Sequence, residues 1–135
     1  MLRLSKRVEY GLMALQYLAK TGQVATSREI SDATNIPYDL LAKIMQSLKR
    51  DGIIDSFQGV RGGYRMMISP EQITLNRVVG ALDEVTALTE CASENPDHEA
   101  CSMFESCTIK HPMAKLQEKL TESIGNTTIA ELMTA

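Results

Sequence analysis

The chain has 135 residues, of which 44% are apolar, so global disorder is excluded and one ordinary domain, or a small domain with an added arm, is expected. The formal net charge is −3, but residues 1–65 carry ten Lys and Arg against six Asp and Glu, whereas residues 66–135 carry four against eleven. A basic first half hints at nucleic-acid contact, although an ordinary solvated surface would have a similar balance. The N-terminus carries no apolar signal segment and no apolar run could cross a bilayer, so we expect a cytoplasmic protein without membrane contact.

The first element in the chain is a helix from Ser5 to about Lys20. Ser5 can accept a hydrogen bond from the first turn, and Gly22 suits the C-terminal cap. An apolar stripe at helical spacing gives this helix one buried face, formed by Val8, Leu12, Leu15 and Ala19.

Two further helices follow, separated by a tight break. The second begins at Ser27, and the third runs from about Pro37 to Arg50 after a turn at residues 35–37. The buried face of the third helix is predicted to comprise Leu41, Ile44, Met45 and Leu48. A short helix, a tight turn and a helix with an exposed polar N-terminal half are typical of a helix-turn-helix, although any three-helix fragment would share this order.

A hairpin is predicted directly after the third helix. Residues 53–58 and 64–68 have the composition of strands, and the glycine-rich tip between them carries Arg61. In a wing of this kind the backbone can approach a phosphate closely, and the guanidinium can enter a minor groove. We therefore predict a winged helix-turn-helix DNA-binding domain over residues 1–70.

The second half, residues 71–135, is predicted to hold a helix from about Leu75 to Glu84, a long helix beginning near Cys107 or Pro112, and a short terminal piece over residues 128–132 that docks on the rest. A narrow apolar stripe runs along the long helix and consists of Met113, Leu116, Leu120 and Ile124. That stripe needs a partner, either its own domain or the same helix of a second subunit.

All three cysteines, Cys91, Cys101 and Cys107, lie in the segment 90–111, as do both histidines, His98 and His111. In a reducing compartment such a set indicates metal binding or redox chemistry rather than a disulfide framework. The spacing C-x9-C-x5-C lacks the C-x2-C pairs of zinc ribbons and bacterial ferredoxins, so three unrelated thiols remain an alternative.

With these residues in view, nearly the whole chain resembles the IscR-type winged-helix regulators, which include repressors of iron–sulfur assembly operons and the nitric-oxide sensor NsrR. The resemblance is carried by the opening LRLSKRVEYGLMAL, the helix-turn-helix IPYDLLAKIMQSLKRDGII, the wing GVRGGYRM, the three cysteines and the ending TTIAELM. The segments LTECAS and CTIKHP look most like the regulators of the SUF iron–sulfur assembly system.

The resemblance implies a mainly α fold with a small β-hairpin and a homodimer paired through the long C-terminal helix. It also implies an iron–sulfur cluster held near that interface by the three cysteines, and a third helix that enters the major groove of a roughly palindromic double-stranded operator. Cluster state would then set DNA affinity. Three cysteines and one other ligand fit either a [2Fe–2S] or a [4Fe–4S] cluster.

The fourth ligand is open. Glu9 stands where the NsrR-like members carry an acidic ligand on the first helix, and a carboxylate there could reach the cluster of the partner subunit. The IscR repressor uses a histidine three residues after the last cysteine, but that position is Lys110 here and His111 comes one later. A slip of one residue turns a helical side chain by about 100°. His98, a thiol, or no protein ligand are the remaining possibilities, and Glu9 could instead be a solvated acid of the first turn.

The DNA contacts are predicted from the exposed side of the third helix and from its surroundings. Base contacts are assigned to Tyr38, Asp39, Lys43 and Gln46, phosphate contacts to Arg28, Lys49 and Arg50, and a minor-groove contact to Arg61. Ala42 stands where the IscR repressor has a glutamate involved in site choice, so a different operator is expected.

The sequence thus predicts a DNA-binding transcriptional regulator, acting as a repressor under the control of an iron–sulfur cluster and governing iron–sulfur assembly genes. One alternative keeps the fold and replaces the cluster by a thiol or zinc-based redox signal. Another is an iron–sulfur electron-transfer or carrier protein that uses the winged helix for protein contacts. No nucleophile–base pair, phosphate loop or paired carboxylates indicate an enzyme.

Overall fold

The computed structural model describes residues 3–82, 87–89, 91 and 101–134. Within them the chain forms six helices and one two-stranded antiparallel sheet, which confirms the predicted fold class. In chain order these are α1 (Lys6–Thr21), α2 (Ser27–Thr34), α3 (Tyr38–Arg50), β1 (Ile54–Phe57), β2 (Gly63–Met66), α4 (Leu75–Ala81), α5 (Lys110–Ser123) and α6 (Ile129–Thr134). Short 3-10 turns lie at Pro70–Gln72 and Phe104–Ser106.

The ends of α1 are set by the residues expected from the sequence. The Ser5 hydroxyl accepts a hydrogen bond from the Val8 N–H at 3.2 Å, and Gly22 adopts the left-handed conformation with φ 62°. The Gly22 N–H donates to the Leu18 carbonyl at 3.0 Å, which closes the last turn. The helix extends one residue beyond the predicted Lys20.

The ends of the helices in the helix-turn-helix are set by identifiable residues. Thr26 caps α2, because its hydroxyl accepts from the Glu29 N–H at 3.1 Å. Asn35 ends that helix in the left-handed region, and α3 begins at Tyr38, one residue later than predicted, because Pro37 keeps an extended backbone. The buried face of α3 is confirmed, since Leu41, Ile44, Met45 and Leu48 are fully buried.

One hydrophobic core joins the helix-turn-helix to the chain that follows it. Side chains of α1, α2, α3 and the base of the hairpin share this core with Ile73, Val78 and Leu82 around α4 and with Ile129 of α6. The Ile129 N–H donates to the Ile73 carbonyl at 2.9 Å, so the terminal piece docks as expected. The part of α4 predicted at residues 83–84 lies outside the described residues, and the division at residue 70 stays a prediction.

The long helix α5 lies apart from this core. It begins at Lys110, between the two predicted starts, and has no buried residue. Along its predicted stripe Met113 and Leu120 are half-buried, whereas Leu116 is 45% exposed and Ile124 is 50% exposed. The described chain therefore leaves much of the stripe open to solvent. Across the described residues, every helix is too short or too polar to cross a lipid bilayer.

Candidate nucleic-acid interface and cysteine segment

The hairpin after α3 has the geometry of a wing. Its strands pair in the register Ile54↔Met66 to Phe57↔Gly63, slightly shorter than predicted. The Gly62 N–H donates to the Gly59 carbonyl at 3.0 Å and closes the turn at the tip. Val60 and Arg61 are exposed there, so the guanidinium predicted to contact DNA stands at the far end of the hairpin.

The base of the wing is attached to the helix-turn-helix by backbone hydrogen bonds. Ala25 and Tyr64 exchange two of them, at 2.9 Å and 2.7 Å. Gly63 adopts φ 145° beside this bridge, and a Cβ at Gly63 would lie 2.5 Å from the Ala25 carbonyl carbon. Only glycine fits such an approach, so the bridge fixes the wing next to the start of α2.

The predicted DNA-contact residues of α3 are exposed. Tyr38, Asp39, Lys43, Gln46, Lys49 and Arg50 all lie away from the buried face of this helix. Two of them also donate side-chain hydrogen bonds within the chain: the Lys49 ammonium donates to the Ser56 hydroxyl at 2.7 Å, and Arg50 donates to the Ser47 hydroxyl at 3.3 Å. Lys49 thereby links α3 to the first strand of the wing.

The predicted contact residues Arg28 and Tyr38 meet across the helix-turn-helix. The Arg28 guanidinium carbon lies 4.1 Å from the centroid of the Tyr38 ring, which is a cation–π distance. Arg28 belongs to the first turn of α2 and Tyr38 to the first turn of α3. The sequence analysis named both residues but did not foresee that they touch.

Two arginines that the sequence analysis did not single out tie α3 to α4. Arg7 donates to the Leu82 carbonyl at 2.6 Å and to the buried Ser47 hydroxyl at 3.2 Å. Arg77 donates through Nε to the Asp51 carboxylate and through a terminal nitrogen to the Asp51 carbonyl, both at 3.0 Å. Since Leu82 directly precedes residues 83–91, these contacts connect α3 to the chain that leads to the first cysteine.

The three cysteines are free thiols on the chain before α5. Cys101 is exposed, whereas Cys91 and Cys107 are half-buried. The Cys91 sulfur lies 3.4 Å from the Thr89 hydroxyl. Cys101 and Cys107 flank the 3-10 turn, which Lys110 holds by a hydrogen bond to the Phe104 carbonyl at 2.8 Å and by lying 4.4 Å above the Phe104 ring.

The candidate fourth ligands occupy different environments. The Glu9 carboxylate lies 2.8 Å from the Lys6 ammonium on the surface of α1, and its hydrogen bond and charge raise the pKa of Lys6. His111 is exposed in the first turn of α5. His98 lies outside the described residues.

The donor chemistry of the segment fits an iron–sulfur cluster, because thiolates are the preferred ligands of such clusters and all three thiols are free. The described positions of these donors in the structure, however, do not form a metal site. Among the described residues, which include the three cysteines, Glu9 and His111, no three His, Cys, Asp or Glu side chains are close enough together to hold a metal ion. A cluster would therefore have to draw its ligands together, or take one from another subunit.

Comparison with known proteins gives the same view of the fold and adds a class of function. The profile of the Rrf2 family, described as "Iron-dependent Transcriptional regulator", matches residues 4–135. The protein rrf2 of Nitratidesulfovibrio vulgaris is 29% identical over 134 residues, covering 98% of this chain and 87% of that protein.

Two of the solved structures with a similar fold illustrate the likeness. CymR of B. subtilis, described as its global cysteine regulator, has a TM-score of 0.73 and 21% identity, covering 99% of this chain and 98% of that one. IscR of T. potens has a TM-score of 0.74 and 19% identity, covering 98% and 87%. At these identities the likeness establishes the winged-helix fold.

Proposed function

The chain belongs to the Rrf2 family of DNA-binding transcriptional regulators, and from this premise we propose that it is a repressor whose affinity for a roughly palindromic operator depends on an iron–sulfur cluster. The members of the family are regulators, not enzymes. The proposal places the protein in the cytoplasm with its operator and extends to iron–sulfur assembly genes as its targets, which the likeness of LTECAS and CTIKHP to the SUF regulators supports.

The DNA-binding part of the proposal rests on one arrangement. The exposed side of α3 and the wing are held in a fixed relation by the bridge between Ala25 and Tyr64 and by the contact between Lys49 and Ser56. In winged helix-turn-helix proteins the second helix of the motif reads the major groove while flanking elements contact the backbone. We assign base contacts to the first half of α3 and a minor-groove contact to Arg61.

The cluster would be held by Cys91, Cys101 and Cys107, with Glu9 as the proposed fourth ligand. When bound, it would supply a redox-active group that is sensitive to nitric oxide and to iron supply. The surface ion pair of Glu9 with Lys6 is a weak competitor for the carboxylate, because exposed pairs stabilise little. Glu9 lies on the same helix as Arg7, so a ligand there would join the site to the contacts that hold α3 against α4.

The proposed dimer pairs α5 with α5 of a second copy. The stripe of Met113, Leu116, Leu120 and Ile124 stays partly exposed in the described chain. Apolar side chains that repeat every three or four residues along a helix are suited to such pairing. A dimer would also place two recognition helices for the two halves of a palindromic operator.

The test is purification without oxygen, followed by the visible spectrum, iron and sulfide counts, and operator binding with and without the cluster. We expect a brown protein with near-stoichiometric iron and sulfide, and loss of both in each single Cys→Ala variant. Glu9→Ala should alter the spectrum or the operator affinity, whereas His111→Ala serves as the matched control and should alter neither. A colourless protein that resists anaerobic reconstitution but still binds DNA would contradict the cluster and leave the DNA-binding part intact.

A second candidate keeps the fold and dispenses with the cluster. Two observations favour it. Among the described residues the free thiols do not lie close enough together to form a metal site, and the fold is similar to that of CymR, a cysteine regulator. In that case the cysteines would respond directly to oxidants; the zinc-based form of this candidate would, like a cluster, need its ligands drawn together. Metal analysis and the effect of thiol oxidation on DNA binding in iron-free protein separate the two candidates.

A further inference from the structure

We propose that Arg28 and Tyr38 act as one unit at the DNA interface, in which the Tyr38 ring holds the Arg28 guanidinium in position for a phosphate. This inference rests on the DNA-binding function and is independent of the cluster. It changes the part assigned to Tyr38 from a base-contacting residue to a positioning residue that acts through Arg28.

The contact distance supports a stacked pair. The guanidinium carbon lies 4.1 Å from the ring centroid, well inside the range of about 6 Å over which a cation is attracted to an aromatic face. A guanidinium that lies over a ring keeps its N–H groups in its own plane, pointing outwards, where they can donate to two phosphate oxygens. Tyr38 remains 39% exposed, so the pair is at the surface and accessible.

The two helices that carry the pair are fixed relative to each other. The Ser31 hydroxyl donates to the Ile36 carbonyl at 2.6 Å across the turn. Asn35 adopts φ 62° within that turn, and its N–H donates to the Ser31 carbonyl at 2.8 Å. Because the turn is hydrogen-bonded on both sides, the first turns of α2 and α3 are held at a fixed spacing, which keeps the Tyr38 ring within reach of the Arg28 guanidinium.

Among the described residues, the ion pairs do not involve Arg28. Glu29 follows Arg28 in the chain, but its carboxylate accepts a hydrogen bond from the Thr26 hydroxyl at 3.3 Å at the helix cap. Arg28 is therefore directed to the ring on α3 and stays available for a ligand. A phosphate is the ligand expected there, because the first helix of a helix-turn-helix crosses the DNA backbone and the second enters the groove.

Holding the guanidinium in advance should raise affinity by reducing the conformational entropy that is lost on binding. The ring is sufficient for this task, since a cation is attracted to the aromatic face and not to the hydroxyl. Tyr38→Phe should therefore preserve the effect, and Tyr38→Leu should remove it. Arg28→Gln removes the contact itself.

The experiment measures the binding of the purified protein to a duplex of arbitrary sequence over a series of salt concentrations, because phosphate contacts carry no sequence information. The variants are Arg28→Gln, Tyr38→Phe, Tyr38→Leu and the double variant of Arg28→Gln with Tyr38→Leu. Lys43→Gln, an exposed cation of α3, is the matched control, alone and combined with Tyr38→Leu. The side-chain N–H signal of Arg28 in NMR spectra of the free protein reports the stack without DNA.

We expect Arg28→Gln to weaken binding roughly tenfold and to reduce the slope of log K against log salt by about 0.9. Tyr38→Leu should cause a large part of the loss of affinity expected for Arg28→Gln. Combined with Arg28→Gln it should cause no further loss, whereas combined with Lys43→Gln the two losses should add. The ring should shift the Arg28 N–H signal in the wild type and in Tyr38→Phe but not in Tyr38→Leu.

Losses that add in the Arg28 and Tyr38 double variant would overturn the proposal, because the two residues would then act separately. If Tyr38→Phe bound DNA as weakly as Tyr38→Leu, the proposal would also be overturned, because the Tyr38 hydroxyl rather than the ring would then make the contact that matters for binding. In both cases the wild type still binds DNA, so the proposed function stands. A wild type that binds no duplex even at low salt would overturn the DNA-binding function together with the pair.

Discussion

The contacts of Arg7 give a prediction whose size follows from the structure. Arg7 donates one short hydrogen bond to the Leu82 carbonyl at the end of α4 and a longer one to the buried Ser47 hydroxyl. Arg7→Met keeps the apolar stem of the side chain and removes both bonds. The Ser47 hydroxyl keeps its bond from Arg50, so most of the loss falls on the Leu82 carbonyl.

A hydrogen bond from a charged donor contributes about 1.5–3 kcal/mol, so we expect the free energy of unfolding to fall by about 2 kcal/mol. For a chain of this size that corresponds to a decrease in Tm of roughly 6–10 °C. Ser47→Ala should cost less, about 1 kcal/mol, and the double variant should cost less than the sum because the two side chains share a bond.

Urea denaturation followed by circular dichroism measures these changes, at one fixed protein concentration because dimerisation would add to stability. Lys43→Met is the control, an exposed cation on α3 whose loss should change stability by no more than about 0.5 kcal/mol. If Arg7→Met unfolds with the same free energy as the control, Arg7 does not stabilise the end of α4 and the reasoning fails.

Three further predictions concern the wing and the dimer. Gly63→Ala should lower both stability and DNA affinity, because its Cβ would collide with the Ala25 carbonyl; urea denaturation and gel shifts measure this. Gly59→Ala is the control, because it shares the strain of a positive φ, 116°, but its Cβ would meet no neighbour. Arg61→Ala should weaken DNA binding and reduce the salt slope by about 0.9, and unchanged affinity in gel shifts would remove the wing tip from the interface. Leu116→Glu should convert a dimer to monomers in sedimentation experiments with little loss of monomer stability, since α5 buries no residue in the described chain. A protein that sediments alike with and without this change would argue against pairing through α5.

Local signals in the sequence were sufficient to predict the helices of the first half. Ser5 and Gly22 set the ends of α1, and the spacing of Leu41, Ile44 and Leu48 marked the buried face of α3. Each of these features depends on residues within one or two turns, which a sequence displays directly. The start of α3 differed by one residue, because Pro37 is compatible with either the cap or the first turn.

Contacts between distant residues were not accessible in the same way. Arg7 and Leu82 are 75 positions apart, and a lone arginine on a helix gives no sign that it will bind a carbonyl elsewhere. The pairing of Arg77 with Asp51 is of the same kind. For the cysteines the sequence indicates more than the structure shows. Their confinement to one segment identifies a candidate metal site, but among the described residues the ligands do not lie close enough together to form one. The cluster ligands therefore stay predictions.

The attachment of the wing at its base has a consequence for protein engineering. A two-stranded hairpin alone is only marginally stable in water, and here the bridge between Ala25 and Tyr64 anchors its second strand to the helix-turn-helix. The turn at the tip is closed by the hydrogen bond from the Gly62 N–H to the Gly59 carbonyl, which is separate from the hydrogen bonds at the base. Residues 60 and 61 are exposed at this tip, so they could be exchanged to alter the proposed groove contact while α3 and the base of the hairpin keep their structure.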